Sequence, residues 1–324
     1  LAAHVPFEEI VPRGYEIKRK LKMQKAFYSH FQSMYSYQRC TQGEYPVIAY
    51  GKPYSILISP TVSPSRSFLF LMIFSQYGTV RQRNVFRKRT ALWRRQYNVS
   101  YLFALTEDDD PKRRRLAREA AYYHDLLVFN HTNSYHNLAL TVLLTYHFVS
   151  NAGVSAVFFG KMDDDMTLNL PLLMRLLQSE TVQSKRHLYA GDCMTSFYNS
   201  YDTLAKNYVP RCLVLDETLI ASYARGGFYV FSSDLLDFIL IGSRHLTFIA
   251  HNEDANTGKA LKLMNVECTP LLQGHWMARY GCESEEECRS FVSIHPKYSS
   301  REMMGYYNYL QMVLFAENSI SFES

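Results

Sequence analysis

Three consecutive carboxylates, Asp163, Asp164 and Asp165, are the residues of this chain best suited by type and spacing to do chemistry. Like charges this close repel one another unless a cation sits among them. Hard carboxylate oxygens suit Mg2+ or Mn2+, and such ions are usually shared with phosphate oxygens. The chemistry implied is a metal–diphosphate site, and the alternative is a solvated acidic turn. Two further acids, Glu253 and Asp254, stand at the start of a helical pattern. They are either favourable partners of the helix macrodipole or a general base on a rigid element. A lone histidine, His295, becomes a metal ligand only if the fold carries it to the aspartates. Paired glycines, Gly226 and Gly227, allow the backbone to approach a ligand closely, or simply to bend.

These residues need elements to hold them. Val154 to Phe159 is apolar, β-branched and aromatic, which predicts a buried strand. Gly160 follows, the three acids leave at the carboxyl end, and Asn169 with Pro171 opens a helix. In open α/β sheets, ligands sit at such strand ends. Upstream, Ser67 to Ser75 and Val99 to Leu105 predict further buried strands. Between them, Arg81 to Arg95 reads as one basic amphipathic helix, its cations either near a diphosphate or lying solvated. Glu107 to Asp110 is a rival acidic cluster. Pro111 follows at once, so it reads as a helix cap with Asp110 at N-cap. Asp125 to Asn130 predicts a strand and Ser134 to Ser150 a helix. Beyond the acids come strands at Tyr189 to Gly191 and Ser222 to Ser232, then helices at Asp234 to Ile241 and Ala255 to Met264. This alternation predicts an α/β fold, a Rossmann-like and mainly parallel sheet flanked by helices.

Composition narrows the class. With 324 residues, 47% of them apolar, the chain can bury a sizeable core and is not disordered. The interleaved aromatics and arginines of residues 81–95 raise nucleic-acid binding, but the rest of the chain is not basic and a net charge of +5 is mild, so no nucleic-acid partner is expected. No apolar run approaches the roughly 20 residues that span a bilayer. Residues 1–65 lack clear periodicity and read as a stem or lead-in, with residues 66–324 as the catalytic domain. The first residue is not Met, so the chain reads as a fragment or processed form from which a targeting or anchor segment could have been removed. None of the six cysteines forms a CxxC pair, which argues against structural zinc. Cys282 and Cys288 flank a polar loop that a disulfide could close, and sequons at Asn98 and Asn130 favour a secreted glycoprotein.

Six stretches, in order, resemble the inverting β-1,3-glycosyltransferases of glycosyltransferase family 31. The basic block resembles Arg83 to Arg87, although its tryptophan falls late, at Trp93. The run from Glu119 through Leu143 carries the family's SYxNL-like segment at Ser134 to Leu138. The KxDDDxxxN loop is similar to Lys161 to Asp165 with Asn169. Tyr223 to Ser232, Glu253 to Gly258, and His295 ahead of Glu302 and Met303 resemble the remaining three. The likeness covers residues 66–310. Ala255 and Asn256 replace the usual Val and Tyr, and nothing before residue 66 matches.

The resemblance implies a GT-A fold, a UDP-sugar donor and Mn2+. By analogy Asp165 holds the cation with His295, and Asp163 joins them as a metal ligand. Asp163, Asp164, Lys161, Arg83, Arg87, Gly226 and Gly227 would contact or orient the donor. Asp254 would take the proton from an acceptor hydroxyl, with Glu253 beside it. The implied enzyme moves galactose from UDP-galactose, or N-acetylglucosamine from UDP-N-acetylglucosamine, to a glycan in a β-1,3-type linkage. The implied setting is the Golgi membrane, as a type II protein with a lumenal catalytic domain. Two other readings stay open: a catalytically inactive nucleotide- or carbohydrate-binding relative, and a metal-dependent phosphohydrolase or nuclease.

Overall fold

The computed structural model describes residues 55–62, 65–107, 109–195, 222–245, 252–279 and 285–295. The expected lead-in over 1–65 lies almost wholly outside them. So do Asn207 to Pro210, Cys282 and the region of Glu302.

Among the described residues, seven strands form one sheet, in the spatial order Ile56–Ile58, Leu126–Phe129, Val99–Thr106, Ser67–Phe74, Ala156–Asp163, Tyr223–Ser232 and Tyr189–Met194. They are β1 (Ile56–Ile58), β2 (Ser67–Phe74), β3 (Val99–Thr106), β4 (Leu126–Phe129), β5 (Ala156–Asp163), β7 (Tyr189–Met194) and β8 (Tyr223–Ser232). The four central strands β4, β3, β2 and β5 run parallel. Antiparallel strands close both edges, β1 on one side and β8 with β7 on the other. The α/β class and mostly parallel sheet predicted from the alternation are present. A small second sheet orders β6 (Thr167–Leu168), β10 (Ser293–Ile294) and β9 (Met277–Ala278).

Period-two alternation builds two cores from the same strands. Phe70, Met72 and Phe74 of β2 face one side, against helices Leu138–Asn151, Leu235–His245 and Glu253–Lys262. Leu69, Leu71 and Ile73 face the other, with Phe86 and Trp93 of the basic segment and Leu170, Leu173 and Leu177 of the helix after the aspartates. Trp93 is thus a core residue.

The predicted single basic helix is two, Val80–Arg89 and Ala91–Gln96. Thr90, wholly buried, bonds its hydroxyl to the Phe86 carbonyl at the break. Such bonds from threonine to the preceding turn bend helices. The cap before Pro111 is also shifted by one residue. Asp109 accepts from the Lys112 amide, and Asp110 is the first helical residue.

Candidate active site

The carboxyl ends of β2 and β5 lie side by side, Phe74 opposite Asp163. The strand continues past Gly160 into Asp163, so the first acid is the last strand residue and the next two form the turn. Asn169 then caps helix Leu170–Gln178 by accepting from the Leu172 amide. A Cβ at Gly160 would meet the Leu71 side chain at 2.7 Å, so that leucine would have to shift.

The fold gives the three aspartates three different environments. Asp164 is fastened from behind. Ser75 donates to its Oδ2 at 2.5 Å, Thr79 donates to the same oxygen, and its amide bonds to the Phe74 carbonyl. Burial pushes its carboxyl up to about 6 despite those hydroxyls. Asp163 accepts from Lys161 Nζ at 2.7 Å, and burial raises its pKa too. Asp165 faces His295, with Nε2 3.4 Å from its Oδ2. Burial alone would raise the Asp165 pKa, but the imidazole outweighs it and holds the carboxyl low. The same hydrogen bond raises His295. Small pairings deliver that histidine, since β10 lies beside β6 and the His295 amide bonds to the Ala278 carbonyl.

Lys161 ties this edge to the second acidic pair. Its side chain is fully buried, with Nζ 2.7 Å from Asp163 Oδ1, 2.7 Å from Glu253 Oε1, and bonded to the Gly226 carbonyl. Burial works against the charged ammonium, but the two carboxylates outweigh it and keep Lys161 protonated. Glu253 also accepts from Tyr229 at 3.0 Å, and burial lifts its carboxyl to about 7. Asp254 takes the Gly226 amide at 3.0 Å on Oδ2 and the Ala255 amide at 2.8 Å on Oδ1, and burial raises it. The Gly226 peptide is therefore held at both ends, its carbonyl by Lys161 and its amide by Asp254. A Cβ at Gly226 would collide with Glu253 Oε1, and one at Gly227 would press on Met277 and Met166.

Arg83 and Arg87 do not stand in open space. Arg83, wholly buried, bonds Glu119 through Nε and Nη2 at 2.8 and 2.6 Å, and donates to Ser75 at 2.9 Å. Arg87 reaches Asp125 at 2.9 and 2.7 Å and Glu119 at 2.8 Å. Arg83 thus supports the aspartate edge through Ser75. A cavity of about 270 Å³ opens at the edge, lined by Ser75, Thr106, Asn133, Tyr135 and Asp163 to Asp165. Ser75 and Thr79 carried no signal as site residues, and Tyr229 was visible only as one position of the Tyr223 to Ser232 stretch. Short hydroxyl residues in strands and turns are too common to single out.

Does this edge suit a divalent cation? Asp165 Oδ1 is buried with no hydrogen-bond partner, beside an imidazole. An unsatisfied carboxylate oxygen next to a histidine fits an ion that takes few protein ligands and completes its shell with phosphate and water. Among the described residues, no group of three or more His, Cys, Asp or Glu forms a ready-made metal cluster. Asp163, already engaged by Lys161, is the weaker of the two expected acidic ligands.

A family model described as galactosyltransferase matches residues 81–271. The mouse (Mus musculus) protein named beta-1,3-galactosyltransferase 1 is 27% identical over 214 residues, covering 65% of this chain and 63% of that one. The human (Homo sapiens) beta-1,3-galactosyltransferase 2 is 24% identical over 259 residues, covering 75% and 58%. The matches span less than two thirds of either relative's length. Among solved structures, the apo form of WbbM, a bifunctional glycosyltransferase, aligns with a TM-score of 0.45 at 9% identity, covering 76% of this chain and 51% of that one.

Proposed function

Because the chain belongs to the galactosyltransferase family, we propose that this acidic edge transfers galactose or N-acetylglucosamine from a UDP-sugar to a glycan hydroxyl, inverting the anomeric centre to give a β-1,3-type linkage. One observation carries the reading. A single buried cation, Lys161, joins the aspartate turn to the helix that bears Asp254, so the two carboxylate sites adjoin.

In this reading the cavity of about 270 Å³, lined by Tyr135, Asn133 and the aspartates, takes the donor nucleotide. Asp165 and His295 would hold Mn2+, with Asp163 alongside. When bound, the ion would offset charge on the departing diphosphate. Asp254 accepts the proton of the attacking hydroxyl. Its two backbone hydrogen bonds orient it, and its raised pKa makes it a better base than an ordinary carboxylate. A single displacement turns an α-linked donor into a β-glycoside and needs no covalent sugar–enzyme intermediate. The cysteines suit the lumen of the Golgi, where a parent protein with a type II membrane anchor would present this domain. Cys193 is bonded to Cys268, Cys288 is also disulfide-bonded, and no described cysteine is free. No described helix is long and apolar enough to cross a membrane.

The test is a screen of UDP-sugars against neutral and acidic glycan acceptors, with Mn2+ or with EDTA. Transfer of one hexose that EDTA abolishes, in β-configuration by NMR, is the expected result. Release of phosphate from nucleotides without sugar transfer would overturn it. UDP binding that Mn2+ fails to tighten would favour the inactive-relative reading.

A further inference from the structure

Two arginines share one carboxylate beside Gly226. Arg225 Nε lies 3.0 Å from Asp192 Oδ2, and Arg279 Nη2 lies 3.5 Å from the same oxygen. The Arg225 approach is off the hydrogen-bond direction, so its buried Nε–H has no aligned acceptor. The side chains of Arg225 and Arg279 are 26% and 43% exposed, within reach of a ligand. Two guanidiniums converge on one oxygen of Asp192, with the Asp254 charge also acting on Arg225, and their combined N–H donors exceed what that one oxygen can accept. Burial lowers the Arg225 pKa, and the like charge of Arg279 acts in the same direction.

Their position gives this surplus a use. Arg225 directly precedes Gly226, whose amide is held by Asp254. The Arg279 carbonyl accepts a hydrogen bond from the His295 imidazole. The pair therefore joins the proposed base to the aspartate–histidine pair. Neither arginine lines the cavity assigned to the donor. The anchor is firm, because Cys193, the neighbour of Asp192, is bonded to Cys268.

We propose that Arg225 and Arg279 form an anion subsite that selects an acceptor glycan carrying a carboxylate or sulfate beside the reacting hydroxyl. The identity of the ligand as acceptor rests on the transferase reading above. Each arginine can present a fork of N–H donors that matches such an oxyanion.

The experiment compares a neutral N-acetyllactosamine oligosaccharide, its sulfated counterpart and a glucuronate-terminated disaccharide. Binding to the full chain is read by calorimetry and transfer by product formation. Wild type should bind one of the acidic glycans on the order of tenfold more tightly than the neutral one, the size of one charge-assisted hydrogen bond. Arg279→Gln and Arg225→Gln, each checked for unchanged thermal unfolding, should bring that ratio toward one. Equal binding of all three glycans by wild type overturns the proposal. So does a ratio unchanged in both variants, or a loss of UDP affinity with the glycan ratio intact. Acidic-glycan binding without any hexose transfer would keep this subsite and remove the transferase reading. Efficient transfer with no acidic preference would do the reverse.

Discussion

Lys161 and Glu253 form an ion pair of 2.7 Å with side chains 0% and 4% exposed, joining the strand of the aspartates to the helix of Asp254. A buried charge of this kind is costly to leave alone, and the pair stands because Asp163, Tyr229 and the Gly226 carbonyl complete its hydrogen bonds. Lys161→Met leaves the buried Glu253 carboxylate uncompensated and takes from Asp163 its partner. It should lower unfolding free energy by about 3–5 kcal/mol, measured by urea titration. A loss below about 1 kcal/mol, the scale of an exposed pair, would show that water reaches the site.

Asp254→Asn keeps the size of the side chain and the acceptor oxygen for one backbone amide, but removes the base. Folding and UDP binding should persist while transfer falls by about 10²–10⁴, the usual worth of a general base. Circular dichroism, calorimetry with UDP and a radiolabelled-sugar assay would read the three quantities. Near-normal turnover would take Asp254 out of its proposed role.

The Cys193–Cys268 bond closes a loop with a sequence separation of 75 residues. Chain entropy for a loop of that length corresponds to about 4 kcal/mol. Reduction, or Cys193→Ser, should lower the denaturation midpoint accordingly. An unchanged midpoint after verified reduction would mean that the unfolded chain is already constrained there.

Tyr101 donates to Asp125 Oδ2 at 2.9 Å, and burial first, then the Asp125 charge, push the phenol up to about 12. The folded protein thus holds the proton more tightly than the unfolded chain, whose tyrosines titrate near pH 10. The stability this contributes is complete below about pH 10 and is lost as pH rises through about 12. Tyr101→Phe should flatten that alkaline decline in melting temperature. An equally steep decline in the variant would place its origin elsewhere.

Much of this arrangement was legible in the residues. The apolar run before Gly160, the acids after it and the cap at Asn169 each follow from a local rule, and the structure has a strand, a turn and a helix there. Long-range pairing was not legible. Arg83 and Arg87 read as cations for a diphosphate, because nothing in a basic stretch says that Glu119 and Asp125 will meet it. Lys161 read as a donor contact for the same reason, yet the fold buries it beneath the cleft. The three aspartates were equivalent on paper. Ser75, Thr79 and His295 make them different, and those partners come from up to 89 residues before and 130 after.

The strand order also has a kinetic meaning. β2, β3 and β4 follow one another and pair across successive helical crossovers, whereas β5 must reach back to the far side of β2, and β8 joins only after that. Contacts of such long sequence separation form slowly. Pulse-labelled hydrogen exchange should find β3 amides protected before those of β5 and β8, and simultaneous protection would contradict this order. Until β5 arrives, the apolar residues Leu69 to Phe74 present an unpaired edge on which nascent chains can stick to each other. The interval of synthesis between β4 and β5 is one in which that apolar edge has no partner strand from this sheet.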